Sequence, residues 1–247
     1  TYTQQQQLEL TQELAQVEQT LQSALEGLQA PFSQFVIGQM KHILPLTRAA
    51  VVLTGGLAVV DRVELRRQRI ALAAAQEMLF LALRIHMRLV GQGVAADDQS
   101  RSILGSTILA GDFCFSRSAE MAVRTENPAV VEIFAETLKR VSEGHLRLLF
   151  TPNSAPFDEA SELFDAGMHA AGVLAGLAGP TLVLARAQAR VLTSARPATK
   201  SQIYPYKKLT EKLQPQTRGP AHCPFGLWRG PTHAPTTLTT QTTCRRD

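Results

Sequence analysis

The chain has 247 residues, 45% of them apolar and 6% aromatic, with Ala and Leu prominent; that supplies a core and favours packed helices over sheets. The formal charge of +4 divides unevenly: from Arg196 onward nine Lys/Arg face two acids, a net +7, while the first 195 residues hold 16 basic and 19 acidic residues, a net −3. A mildly acidic body excludes a nucleic-acid-binding reading of the whole chain, and with no run of 18 or more uncharged apolar residues no transmembrane segment is expected.

The N-terminus, TYTQQQQ, has no basic n-region, so no signal peptide is expected. Three cysteines (Cys114, Cys223 and Cys244) form no C-x-x-C pair, which points to a reducing, cytoplasmic compartment. Cys114 sits in an apolar stretch and reads as an inert small hydrophobe.

In chain order, residues 3–29 predict one long helix. Leu10, Leu14, Val17, Leu21, Ala24 and Leu28 alternate steps of four and three, a heptad-like seam with Gln and Glu opposite. Such a seam lies either on a domain or across a dimer interface. Gly27 and Ala30-Pro31 end it. An apolar helix from about Leu46 to Leu53 precedes Gly55-Gly56. Residues 62–90 form the strongest helix, without Pro or Gly and apolar nearly all round from Ile70 to Leu83, so it should be central. Residues 91–102 read as a polar loop carrying Asp97-Asp98, and a helix follows from about Ser102 to Arg124. Asn127-Pro128 opens a helix over 128–150. After a break at 151–156, Phe157 to about Leu177 is helical, with Asp158 and Glu159 where the helix dipole favours acids. Residues 181–194 have room for one more helix. The rest is rich in Pro, Thr, Gln, Lys and Arg, with too little apolar surface to offset ordering entropy.

Five or six helices with short links and no strand alternation predict an all-α fold. Three regions are expected: an N-terminal amphipathic helix over 1–30, a helical domain over 31–195, and a basic Pro/Thr-rich tail over 196–247 that is mostly disordered. Ser-His-Asp, phosphate-loop and dinucleotide patterns are absent. His86 and His145 have no carboxylate partner at helical spacing, apart from Glu143 beside His145, and read as ordinary structural or surface histidines. Asp97-Asp98 read as a solvated acidic loop.

A longer pattern runs through the centre. Leu109-Ala110-Gly111-Asp112-Phe113, then Asn127-Pro128, then Ser142-Glu143-Gly144-His145-Leu146 follow one another over about forty residues. Upstream, AAAQEMLFLALRIHMRLV occupies 73–90, and a further stretch surrounds Lys41. In this order and spacing the chain resembles the trans-isoprenyl diphosphate synthase family over roughly residues 35–177. The resemblance implies an isoprenoid-synthase-like helical bundle, apparently truncated at its C-terminus.

The family's chemistry needs two D-D-x-x-D motifs, because a diphosphate leaving group is neutralised by Mg²⁺ held on carboxylate oxygens. At the first motif this chain has Met87, Arg88 and Gly91 in place of the aspartates. The region of the second, residues 181–200, contains no Asp or Glu. The family's R-R-G segment has no counterpart. Of the family's basic diphosphate clamp Lys41 and Pro45 remain and both arginines are gone, while Glu159 stands where a phosphate-binding Lys belongs. Asp112 and Glu143 are retained motif residues; Asp112 reads as a polar residue hydrogen-bonded in the core, with an active-site remnant as the alternative.

The resemblance therefore implies a polyprenyl synthetase-like protein of isoprenoid biosynthesis without a catalytic site. It is expected to act as a non-catalytic or regulatory subunit, in a homo- or hetero-oligomer with an active isoprenyl diphosphate synthase, with an isoprenoid ligand possible and no cofactor. The alternatives are a prenyltransferase that condenses isopentenyl diphosphate with an allylic diphosphate through displaced Mg²⁺ ligands, and a non-enzymatic isoprenoid- or lipid-binding helical protein.

Overall fold

The apolar run from Ala71 to Leu83 decides the architecture. In a computed structural model that describes residues 4–40, 46–56, 63–90, 97–151 and 155–194, this run is the middle of helix α4 (Val63–Val90), and every residue of it is buried. A helix apolar on all sides must be covered on all sides. Here α1 (Gln4–Leu25), α3 (Thr47–Gly56), α5 (Asp98–Val123) and α7 (Glu159–Leu174) pack around it. With α2 (Phe32–Met40), α6 (Pro128–Phe150) and α8 (Gly179–Ser194) the described residues hold eight helices and no strand, an all-α bundle.

The seam of α1 lies on this domain. Val17, Leu21 and Leu25 are in the core, and Leu10, Leu14, Ala24 and Leu28 pack against it. The helix stops at Leu25, four residues before the expected end, and Glu26 and Leu28 bond back to Ser23 and Leu25 in a turn. Two further boundaries differ from expectation. The nine-residue α2 was not anticipated, since its short apolar pattern FSQFVIGQM is too brief to show a period. Asp98 opens α5 rather than lying in a loop: it pairs with Arg101 one turn on, and its charge sits at the helix's positive end. Between Val63 and Leu89, α4 is long and apolar enough to cross a membrane by length and composition, once a few charges are allowed, but 67% of its apolar window is buried inside the protein.

Local chemistry fixes the other ends. Asn127 caps α6, its side chain accepting from the N–H groups of Ala129 and Val130 at 3.1 and 3.4 Å, with Pro128 as the first helical residue. Asp158 caps α7 by accepting from Ser161 N at 3.1 Å. At the other end of α7, Gly176 has φ 72° while Leu177 N donates to Gly172 O and Gly176 N to Val173 O. That is the Schellman arrangement, which needs a residue tolerant of the left-handed region.

Three buried carboxylates, Glu13, Glu77 and Asp165, pin helices through arginine ion pairs. Arg69 on α4 reaches Glu13 on α1 at 2.7 Å, both almost fully buried. Glu77, in the middle of α4, accepts from the N–H groups of Arg48 and Ala49 and from Arg48 Nε, all at 2.9 Å. It thereby satisfies backbone donors in the first turn of α3 that have no partner within the helix. The Arg48 guanidinium lies 3.5 Å over the Phe80 ring. Asp165, buried on α7, takes Arg186 at 2.6 Å and Arg190 at 3.0 Å from α8.

Candidate functional site

The last turns of α4 bring His86, Met87 and Arg88 toward α5 and α2. The His86 ring lies flat over Gly111 of α5, where an added Cβ would meet Nε2 at 2.4 Å. It stacks on Phe115 with centroids 5.0 Å apart, and Nε2 is 3.3 Å from Asp112 Oδ1. Glycine at 111 is thus what lets α4 and α5 approach with an imidazole between them. Arg88 is exposed and donates from Nη1 to Gln39 Oε1 of α2 at 2.5 Å; Met87 is half-buried.

A second cluster repeats the pattern on α6 and α7. The Phe157 ring covers Gly144, with a would-be Cβ 2.5 Å away, and His145 meets that ring edge-on at 5.6 Å. His145 Nε2 is 2.9 Å from Glu159 Oε2. Glu143 points to solvent one residue before Gly144.

Both histidines therefore have carboxylate partners, supplied by the neighbouring helix and not by their own. Asp112, expected in the core, has its side chain 59% exposed and faces His86 from the surface. The structure brings Asp112 to the end of α4, and it sets Glu159 against His145. Lys41, Gly91 and the tail over 196–247 lie outside the described residues. Sequence reading missed Arg48 with Glu77, and Asp165 with Arg186 and Arg190. Each is a charge inside an otherwise apolar segment, and that was the available signal. Two arginine hydrogen bonds overcome the burial of Asp165, which by itself would raise its pKa, and hold the carboxyl below the usual range. Nearby on α7, burial first, with Arg186 adding, pushes His169 below its ordinary value.

Met87 and Arg88 offer Mg²⁺ no oxygen ligand, and the guanidinium repels a cation. Among the described residues no three His, Cys, Asp or Glu side chains are grouped to hold a metal ion. Met87 and Arg88 thus supply none of the oxygen donors that a Mg²⁺–diphosphate centre needs.

Comparison with solved structures settles the fold. A decaprenyl diphosphate synthase from Rhodobacter capsulatus superposes with a TM-score of 0.60 at 20% identity, over 75% of this chain and 62% of that one. The geranylgeranyl pyrophosphate synthase of Lactobacillus brevis gives 0.61 at 20% identity, over 76% and 61%. The chain has a trans-isoprenyl diphosphate synthase-like fold. It spans about three fifths of the length of these synthases (62% and 61%). The small subunit of geranyl diphosphate synthase from Antirrhinum majus also shares the synthase-like fold, with a TM-score of 0.52 at 16% identity, over 82% of this chain and 91% of that one. No family model matches the sequence, and no curated protein is similar to it by sequence.

Proposed function

We propose that this synthase-like chain is a non-catalytic subunit that pairs with an active isoprenyl diphosphate synthase in the cytoplasm and modulates its activity or product length. The observation that carries the reading is at the end of α4. An arginine tied to Gln39 stands where the resemblance places an aspartate of a metal-binding motif, beside a methionine. Glu159, at the place of a phosphate-binding lysine, is engaged with His145. On the resemblance, these two changes of charge take a metal ligand and a phosphate-binding cation from the diphosphate site. The likeness to a protein described as a small subunit, of which the chain covers 91%, supports an accessory role. Ile108 and Leu109 on the open face of α5, 41% and 65% exposed, supply apolar surface for association. The buried Cys114 thiol, pushed up to about 12 by burial, is a poor nucleophile.

The experiment is co-purification of the full chain with an active synthase from the same source, with product-length analysis of the synthase alone and in the complex. The expected result is a stable complex with altered product length or rate. Purified alone, the chain should show no Mg²⁺-dependent turnover of isopentenyl and allylic diphosphates above background. Turnover by the isolated chain, or failure to associate with any such synthase, overturns the reading.

A further inference from the structure

At the far end of α4 from Arg88, a groove of about 670 Å³ opens between α1, α4 and α5. Arg67 lies 21 residues before Arg88, roughly 30 Å away along the helix, so this is not the diphosphate place described above. A groove of this volume suits a small molecule. Its walls are rich in guanidinium groups. Arg66 and Arg67 come from α4, Arg117 from α5 and Arg124 from the turn just past its end, and Glu120 is the one acid among the lining residues. The wall from α1 is neutral and polar, represented by Gln19 and Ser23, and Val63 and Ile70 add apolar surface. All four guanidinium groups already have acids within reach: Glu13 lies 3.4 Å from Arg66, Glu64 and Glu126 hold Arg67, and Glu120 takes both Arg117 and Arg124.

Glu120 shows how an oxyanion is held there. Arg117 donates to Oε2 at 2.7 Å and Arg124 to Oε1 at 2.5 Å, so one carboxylate bridges two guanidinium groups. The hydrogen bonds from Arg117, then from Arg124, hold the Glu120 carboxyl below its usual range. This bridge is replaceable. Glu120 is 44% exposed and Arg124 56%, and solvent-exposed pairs of this kind are weak. Each guanidinium has five donors, and a phosphate presents more acceptor oxygens and more charge than a carboxylate.

We propose that the α1–α4–α5 groove binds a phosphate-bearing small molecule, whose phosphate displaces the Glu120 carboxylate from between Arg117 and Arg124 while its remaining body lies along Val63 and Ile70. Arg66 and Arg67 flank the approach but are engaged, Arg66 by Glu13 at 3.4 Å and Arg67 by Glu64 and Glu126 at 2.8 and 2.7 Å, so Arg117 and Arg124 carry the recognition. The inference is independent of the accessory-subunit reading.

The test is titration of the full chain with inorganic pyrophosphate by calorimetry at fixed ionic strength, with citrate as a carboxylate comparison. Removing the internal competitor with Glu120→Gln should tighten pyrophosphate binding about tenfold, and Arg117→Gln with Arg124→Gln should weaken it by at least about tenfold. Arg88→Gln should leave it unchanged. Pyrophosphate is expected to bind more tightly than citrate. The proposal is overturned if no binding is detected at millimolar pyrophosphate, if Glu120→Gln is no tighter, if the double arginine variant is no weaker, or if Arg88→Gln abolishes binding. A gain of affinity in Glu120→Gln is a readout that misfolding does not produce.

Discussion

Gly111 and Gly144 have the same job in two places: each leaves room for a ring from the adjoining helix or loop. The consequence is measurable. Gly111→Ala places a methyl 2.4 Å from His86 Nε2, so the imidazole must leave its seat over α5 and its contact with Asp112. A loss of about 1–3 kcal/mol of stability is expected from such overpacking. His86→Ala in the same chain should recover most of it, and a double-mutant cycle by denaturant unfolding reads the coupling. Asp165 makes a prediction in pH. Its native pKa is lowered, so its contribution is complete above the unfolded value of about 4 and is lost as pH falls through the native value. Asp165→Asn should therefore lower the melting temperature at pH 7 and flatten its decline below about pH 4. His169 is also lowered, but in a basic group this makes stability fall as pH drops below about 6.5. The two windows are separate, so a decline already under way at pH 6 is not assigned to Asp165.

Among elements, α1 shows how a period and its partner are different kinds of information. Steps of four and three mark a buried stripe, and Val17, Leu21 and Leu25 form it. The stripe itself leaves open whether the partner is this domain or another chain. Glu13 settles that by reaching Arg69, 56 residues away on α4. Leu21 is fully buried against the core, so Leu21→Ala should cost about 2–5 kcal/mol in chemical unfolding. A seam serving only a dimer would instead make stability depend on protein concentration, with little loss in the monomer. Helix α8 is the contrasting case. It holds to α7 through Asp165 and a small cluster of Val51, Phe164, Met168 and Ala189, while Val183, Leu184 and Val191 are exposed. Its 16 residues carry no acid to complement the dipole at its start, and the sequence signal for it was correspondingly thin.

For the whole molecule, the accessory-subunit reading turns on an exposed surface and a partner. Leu109→Lys should weaken the complex with an active synthase in a pull-down while leaving the chain's own melting within about a degree, because Leu109 is 65% exposed and contributes little to the core. Equal retention of the variant would place the interface elsewhere.

The sequence by itself determined that the chain is all-α, that the segment 71–83 is central, and where α4, α6 and α7 lie. Runs of 16 to 28 residues carry enough turns for a helical period to show. It also placed Met87 and Arg88 at the positions where the resemblance puts aspartates, since a motif read by identity needs no coordinates. The tertiary structure alone decided which groups meet. His86 takes Asp112, His145 takes Glu159, Arg48 takes Glu77, and Asp165 takes two arginines of α8. These partners come from different elements, up to 29 residues apart in the case of Arg48 and Glu77. Periodicity specifies which face of a helix is buried, but which neighbour covers that face is set only when the helices pack.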